Sequence, residues 1–159
     1  AEARIPFGFG YLAPEREGRF TLGALFSSHM FPGRAPAGGQ LLEALVGGRR
    51  HPERLELADD ELIKRVYEDL RQLMDLPEPP RFAAVLRPSS AIPQLEAGYT
   101  GLLAWREAVH AGVAGLRLCG FGWTGIGIND MVKEARRAAE AICSPAAATG
   151  GPEVKGVYF

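Results

Sequence analysis

At 159 residues, 47% hydrophobic and 23% charged, the chain is long enough for one ordinary core and has the composition of a soluble globular protein. A formal net charge of -1 gives no general attraction to nucleic acid or to an anionic membrane, and no run approaches the roughly 20 apolar residues that a membrane-spanning helix needs. Cys119 and Cys143 are the only thiols, without metal-ligand spacing, which fits a reducing compartment.

In chain order, Phe7 to Pro14 and Thr21 to Ser28 are short apolar runs separated by the charged, glycine-containing stretch Glu15 to Arg19, and together they predict a hairpin. Gln40 to Val46 follows as a third strand ended by Gly47-Gly48. Asp59-Asp60-Glu61 places acid at the start of an amphipathic helix, where the helix dipole favours it. The apolar stripe of that helix is Leu62, Ile63, Val66, Tyr67, Leu70, Leu73 and Met74, and Pro77, Pro79 and Pro80 stop it. Phe82 to Leu86 reads as another strand, and a short helix carries Leu102, Leu103, Arg106 and Val109. Gly115 to Cys119 reads as a buried strand, with Cys119 a packed thiol.

That last strand leads into Gly120 to Ile142, a glycine-rich turn followed by Ile128, Met131, Val132, Ala135, Ala139 and Ile142 at helical spacing. Gly120, Gly122 and Gly125 satisfy G-x-G-x-x-G, but no second strand with an acidic end follows, so an independent dinucleotide-binding unit is rejected. The same pattern recurs by accident at Gly8 to Ala13. The order β-β-β-α-β-α-β-α predicts an α+β fold: a mostly antiparallel sheet of hairpin-like strands with helices packed on it, ending in a strand-turn-helix motif. Residues 144–159, rich in Ala, Gly, Pro and Thr, are expected to form a frayed tail. Ala1-Glu2-Ala3-Arg4 does not open a signal peptide, and the missing initiator Met reads as a piece of a longer or processed chain.

The ionisable residues form no catalytic constellation. His29, His51 and His110 share no spacing, so no metal site is expected, and Ser27-Ser28 lacks a nucleophile-elbow context. Arg49-Arg50 reads as a solvated loop end, with gripping of substrate carboxylates the less favoured alternative. Asp130 reads as a first-turn acid that stabilises its helix. Trp123 is left open between a cofactor contact and a residue that pins the turn.

Several runs together resemble the C-terminal part of the flavin-dependent protoporphyrinogen and coproporphyrinogen oxidases, within the flavin amine oxidase superfamily. They are Gly8-Phe9-Gly10-Tyr11-Leu12-Ala13-Pro14, Leu22-Gly23-Ala24-Leu25-Phe26-Ser27-Ser28, Val46-Gly47-Gly48, Ile92-Pro93-Gln94 and Gly125-Ile126-Gly127-Ile128-Asn129-Asp130. The resemblance spans residues 7 to 142 and implies a partial piece of a larger flavoenzyme. It divides the chain into a substrate-side sheet region (1–98), a C-terminal piece of the FAD region (99–143) and the tail.

By that resemblance, Gly125, Ile126, Gly127 and Ile128 contact FAD, with Trp123 beside them as a further candidate for the cofactor site, and Leu45 packs on the porphyrinogen substrate. No catalytic side chain is implied, since the flavin carries the redox chemistry. Three departures are Pro88 where the family often has Trp, Phe121-Gly122 in place of a more polar pair, and the absence of an N-terminal dinucleotide-binding half from these residues. The isolated chain is therefore expected to be colourless and inactive, to need that half as partner, and to self-associate through apolar faces. A cytoplasmic location is expected, with peripheral membrane attachment as an alternative. Rival readings are another amine oxidase or desaturase, and a non-catalytic module on a flavoenzyme-like scaffold.

Overall fold

The computed structural model describes residues 3–89 and 91–143. They divide into two compact units at the Arg87–Pro88 junction.

In the first unit the hairpin forms within the two short apolar runs that predict it. Strands β1 (Gly10–Leu12), β2 (Gly23–Leu25) and β3 (Glu43–Leu45) make an antiparallel sheet in the order β1-β2-β3. The register aligns Tyr11, Ala24 and Ala44 across the three strands. Because side chains alternate between faces, that row points to one side, where it packs with Phe26, Leu70 and Met74 as the core. Ser27 and Ser28 leave the strand and open a four-residue helix, α1 (Ser27–Met30). Ser27 is fully buried and its Oγ donates to Glu43 Oε1 at 2.5 Å.

The acid-led segment forms helix α2 (Asp59–Leu70), with Asp59, Asp60 and Glu61 in its first turn. Leu62, Leu70 and Met74 of the predicted stripe are buried, whereas Leu73 is exposed. The regular helix ends at Leu70, before the prolines. The next turn tightens, the amides of Leu73 and Met74 both donating to the Leu70 carbonyl, and this swings Met74 into the core.

The second unit contains α3 (Tyr99–Gly112) and α4 (Ile128–Cys143). Two predicted strands are corrected here. Phe82 to Leu86 and Gly115 to Cys119 are irregular, and neither pairs with another strand among the described residues. A strand needs a ladder partner for its backbone groups, and apolar sequence alone does not provide one. Phe82 and Leu86 are accordingly 80% and 88% exposed. Cys119 is exposed rather than packed. The α+β class stands: the described residues form one three-stranded sheet and four α-helices. The predicted tail, 144–159, lies outside the described residues.

Candidate functional site

The second face of the small sheet is bare. Register places Leu12, Gly23 and Leu45 in one row and Gly10, Leu25 and Glu43 in the next, all opposite to the core row. Leu12, Leu25 and Leu45 are 79%, 37% and 43% exposed. Gly23 contributes no side chain between Leu12 and Leu45, and a Cβ there would lie 3.1 Å from Leu12 Cδ2 and 2.4 Å from the Tyr11 carbonyl oxygen. The result is an apolar wall of three leucines, with Glu43, ion-paired to Arg34 at 3.8 Å, on the same face beside Leu25. Leu45, singled out from the sequence, thus has two companions that the sequence reading passed over. The period-2 alternation of the strands together with the register would have paired them.

Arg50 is ion-paired with Glu15, and His51 lies 3.8 Å from Glu15 and 3.4 Å from Glu53. Arg50 therefore already has a carboxylate partner within the chain.

The glycine-rich turn in the second unit is held from several sides. The Gly122 amide donates to the Gly125 carbonyl at 3.0 Å. Gly122 has φ +93°, and a Cβ on it would lie 3.0 Å from Pro93, so the Ile92-Pro93-Gln94 loop lies directly against this turn. The Tyr99 hydroxyl reaches the carbonyls of Gly122, at 2.6 Å, and Trp123. Burial raises the Tyr99 pKa, with Glu134 adding to that rise and Arg106 opposing it, so the phenol stays a proton donor at neutral pH.

Trp123 lies under the guanidinium of Arg106, 5.3 Å from ring centroid to the Arg106 Cζ. Trp123 is thus held within the chain by Arg106. Helix α4 begins where the Gly127 carbonyl accepts the amides of Asp130 and Met131, both at 3.1 Å. The preceding amides lie ahead of the first helical bond, where a helix start presents donors. Asp130 occupies the first turn as expected. A Cβ at Gly125 would come within 2.3 Å of Asp130 Oδ2, so only glycine leaves room for that carboxylate.

Ile126 and Ile128 are exposed on the outer side of the turn. The apolar stripe of α4 is turned outward as well: Val132 and Ile142 are exposed, while the one buried residue of the helix is Glu134. The remaining candidates are structural or solvent-facing. The His110 ring accepts the Leu118 amide at Nε2, at 2.8 Å, and His29 is exposed. No group of His, Cys, Asp and Glu suited to a metal ion occurs among the described residues, and no described helix is long and apolar enough to cross a membrane.

Residues 6–143 match the model of the flavin containing amine oxidoreductase family, and the chain belongs to that family. It is 34% identical over 139 residues to the chloroplastic protoporphyrinogen oxidase of Nicotiana tabacum, an alignment covering 85% of this chain and 25% of that protein. It is 35% identical over 139 residues to chloroplastic protoporphyrinogen oxidase 1 of Spinacia oleracea, with the same coverage. It is 26% identical over 132 residues to the coproporphyrinogen III oxidase of Bacillus subtilis, covering 82% of this chain and 28% of that protein. The chain thus spans about a quarter of the length of the relatives it matches.

Proposed function

We propose that this chain is one part of a flavin-dependent oxidase acting on protoporphyrinogen or coproporphyrinogen, supplying a wall of the substrate site and one side of the FAD site. The observation that carries the proposal is the row Leu12, Gly23, Leu45 with Leu25 beside it: a flat apolar surface on the face of the sheet away from its core. A macrocycle is held mainly by burial of its faces, and such a wall offers burial without directional bonds. The names of the relatives support a porphyrinogen over a simple amine.

Trp123, Gly125, Ile126, Gly127 and Ile128 are the residues we assign to FAD. The side chains of Ile126 and Ile128 face outward there, and the amides ahead of α4 precede its first helical bond, while at Gly125 the Asp130 carboxylate fills the space that a side chain would take. FAD, when bound, supplies the hydride acceptor. The chain's own tasks are to hold the substrate face against Leu12, Leu25 and Leu45, to exclude water there, and to present amides to the cofactor ring. In this reading residues 1–98 serve the substrate and 99–143 the cofactor. The bare stripe of α4 and the unpaired segments 82–86 and 116–119 are covered by the remainder of the flavoenzyme. The chain by itself is colourless and inactive, because most partners of a shared cofactor site lie elsewhere. Its two exposed thiols, neither in a disulfide, support a reducing compartment, in our reading the cytoplasm.

The test is to purify the full-length gene product, record its visible spectrum, and measure turnover of protoporphyrinogen, coproporphyrinogen and simple amines. Flavin absorbance with porphyrinogen turnover is expected. Flavin with amine turnover alone would move the protein to another branch of its family, and absence of flavin would leave a non-catalytic module.

A further inference from the structure

The side chain of Arg106 is unusual for its place. It sits on α3, only 3% exposed, and its charge is shared among three neighbours. Nη1 donates to Glu134 Oε2 on α4 at 3.1 Å, Nη2 donates to Glu107 Oε1 at 2.9 Å, and the guanidinium plane lies over Trp123 in the glycine-rich turn. Glu134 is itself buried, and its other oxygen accepts Arg137 at 3.4 Å. One buried cation therefore joins α3, α4 and the turn between them. Tyr99, from the same helix as Arg106, holds the turn's carbonyls at Gly122 and Trp123.

Stability alone does not account for this arrangement. A buried ion pair recovers little more than its own desolvation, and well-packed apolar residues in its place are often as stabilising. A planar guanidinium over an aromatic ring, with its edges bound to carboxylates, instead fixes orientation. The ring so oriented belongs to the residue two positions before Gly125, where the cofactor-facing backbone begins.

We propose that Arg106 is the positioning residue of this turn: through Glu134 and Trp123 it sets the direction in which the backbone of Gly125 to Ile128 faces FAD. The inference rests on the flavin reading above, and it assigns to Arg106 no contact with cofactor or substrate.

The experiment uses the full-length protein loaded with FAD and compares Arg106→Lys, Glu134→Gln, their combination, and the apolar pair Arg106→Met with Glu134→Leu. FAD dissociation is followed by recovery of free flavin fluorescence, and thermal unfolding by far-ultraviolet circular dichroism. Arg106→Lys is expected to weaken FAD binding about tenfold or more, as misplaced positioning groups do, with Glu134→Gln adding little to it. The apolar pair removes both buried charges together, so the melting temperature is kept while FAD is lost with the stacked guanidinium. FAD binding unchanged in Arg106→Lys, additive effects of the two single variants, or FAD kept together with the melting temperature in the apolar pair would each overturn the positioning role while leaving the flavin reading intact. A wild-type protein without flavin would overturn both.

Discussion

Asp69, near the end of α2, accepts the Thr21 hydroxyl at 2.6 Å and the Thr21 amide at 3.1 Å. The same carboxylate accepts the Phe20 amide at 3.2 Å and is ion-paired with Arg19 at 3.1 Å. Tyr11 on β1 extends the network, its hydroxyl lying 2.8 Å from Thr21 Oγ1. A single buried acid thus fastens the helix to the entrance of the central strand and so helps to set the sheet that carries the leucine wall.

Removing that acid leaves buried donors without acceptors and Arg19 without its counter-ion. Asp69→Ala is expected to destabilise the chain by about 3–5 kcal/mol, the range for breaking a buried pair. Thr21→Val loses one charge-assisted bond and is expected to cost about 1.5–3 kcal/mol. Urea unfolding followed by circular dichroism measures both, and equal midpoints for wild type and Asp69→Ala would refute the role given to this residue.

The same carboxyl predicts an acid-sensitive stability. Burial alone would raise its pKa, but the Thr21 hydroxyl, the amides of Thr21 and Phe20, and Arg19 together hold it below the ordinary aspartate value of 3.8. A group whose folded pKa is depressed contributes stability that is complete above its unfolded value and is lost as pH falls through the folded one. Melting temperature is therefore expected to drop as the pH is lowered from 3.8 toward the folded value. Asp69→Asn should flatten that part of the profile, and parallel acid limbs for the two proteins would count against it.

Gly125 tolerates no side chain beside Asp130. Gly125→Ala is expected to cost about 1–3 kcal/mol by overpacking, and to weaken FAD binding in the full-length protein. Gly125→Ala combined with Asp130→Ala removes the carboxylate without placing a glycine in the first turn of α4 and should recover part of the melting temperature. No recovery in the double variant would mean that the carboxylate is not the obstacle.

The leucine wall makes a kinetic prediction. Leu45→Ala in the full-length oxidase gives up about 1–2 kcal/mol of apolar contact. The expected result is a KM for porphyrinogen raised about tenfold, since each 1.4 kcal/mol is a factor of ten in affinity. Leu12→Ala and Leu25→Ala should act in the same direction. Unchanged KM in all three would remove the wall from the substrate site.

For the isolated chain, the exposed apolar stripe of α4 and the bare sheet face predict self-association. Sedimentation velocity should detect oligomers, and Leu12→Lys with Val132→Lys should shift the population toward monomer. A wild-type chain monomeric at high concentration would refute this.

What the sequence made legible was the local part of the fold. Short apolar runs bounded by charged or glycine-rich stretches gave the three strands, and the acid start with apolar spacing gave α2. Phe82 to Leu86 and Gly115 to Cys119 misled because their composition suits a strand, whereas pairing depends on a neighbour that local pattern does not encode. The stripe of α4 was read correctly as periodic, yet periodicity does not say whether an apolar face is covered, and here Glu134 is the residue turned inward. Leu45 could be singled out by resemblance, but Leu12 and Leu25 join it only through the register. Arg106 went unnoticed as a partner for Trp123 because the two are separated along the chain and meet only when α3 folds beside the turn.

The glycine at the centre of the leucine row has one more implication. The three leucines sense planarity and width, and their side chains carry no charge with which to count carboxylates around a ring's rim. Protoporphyrinogen and coproporphyrinogen differ only at that rim, so these leucines would greet both alike. Under the proposed function, choice between them would then fall to charged groups at the edge of the completed cavity, and swapping the wall between two such oxidases should leave their preference unchanged.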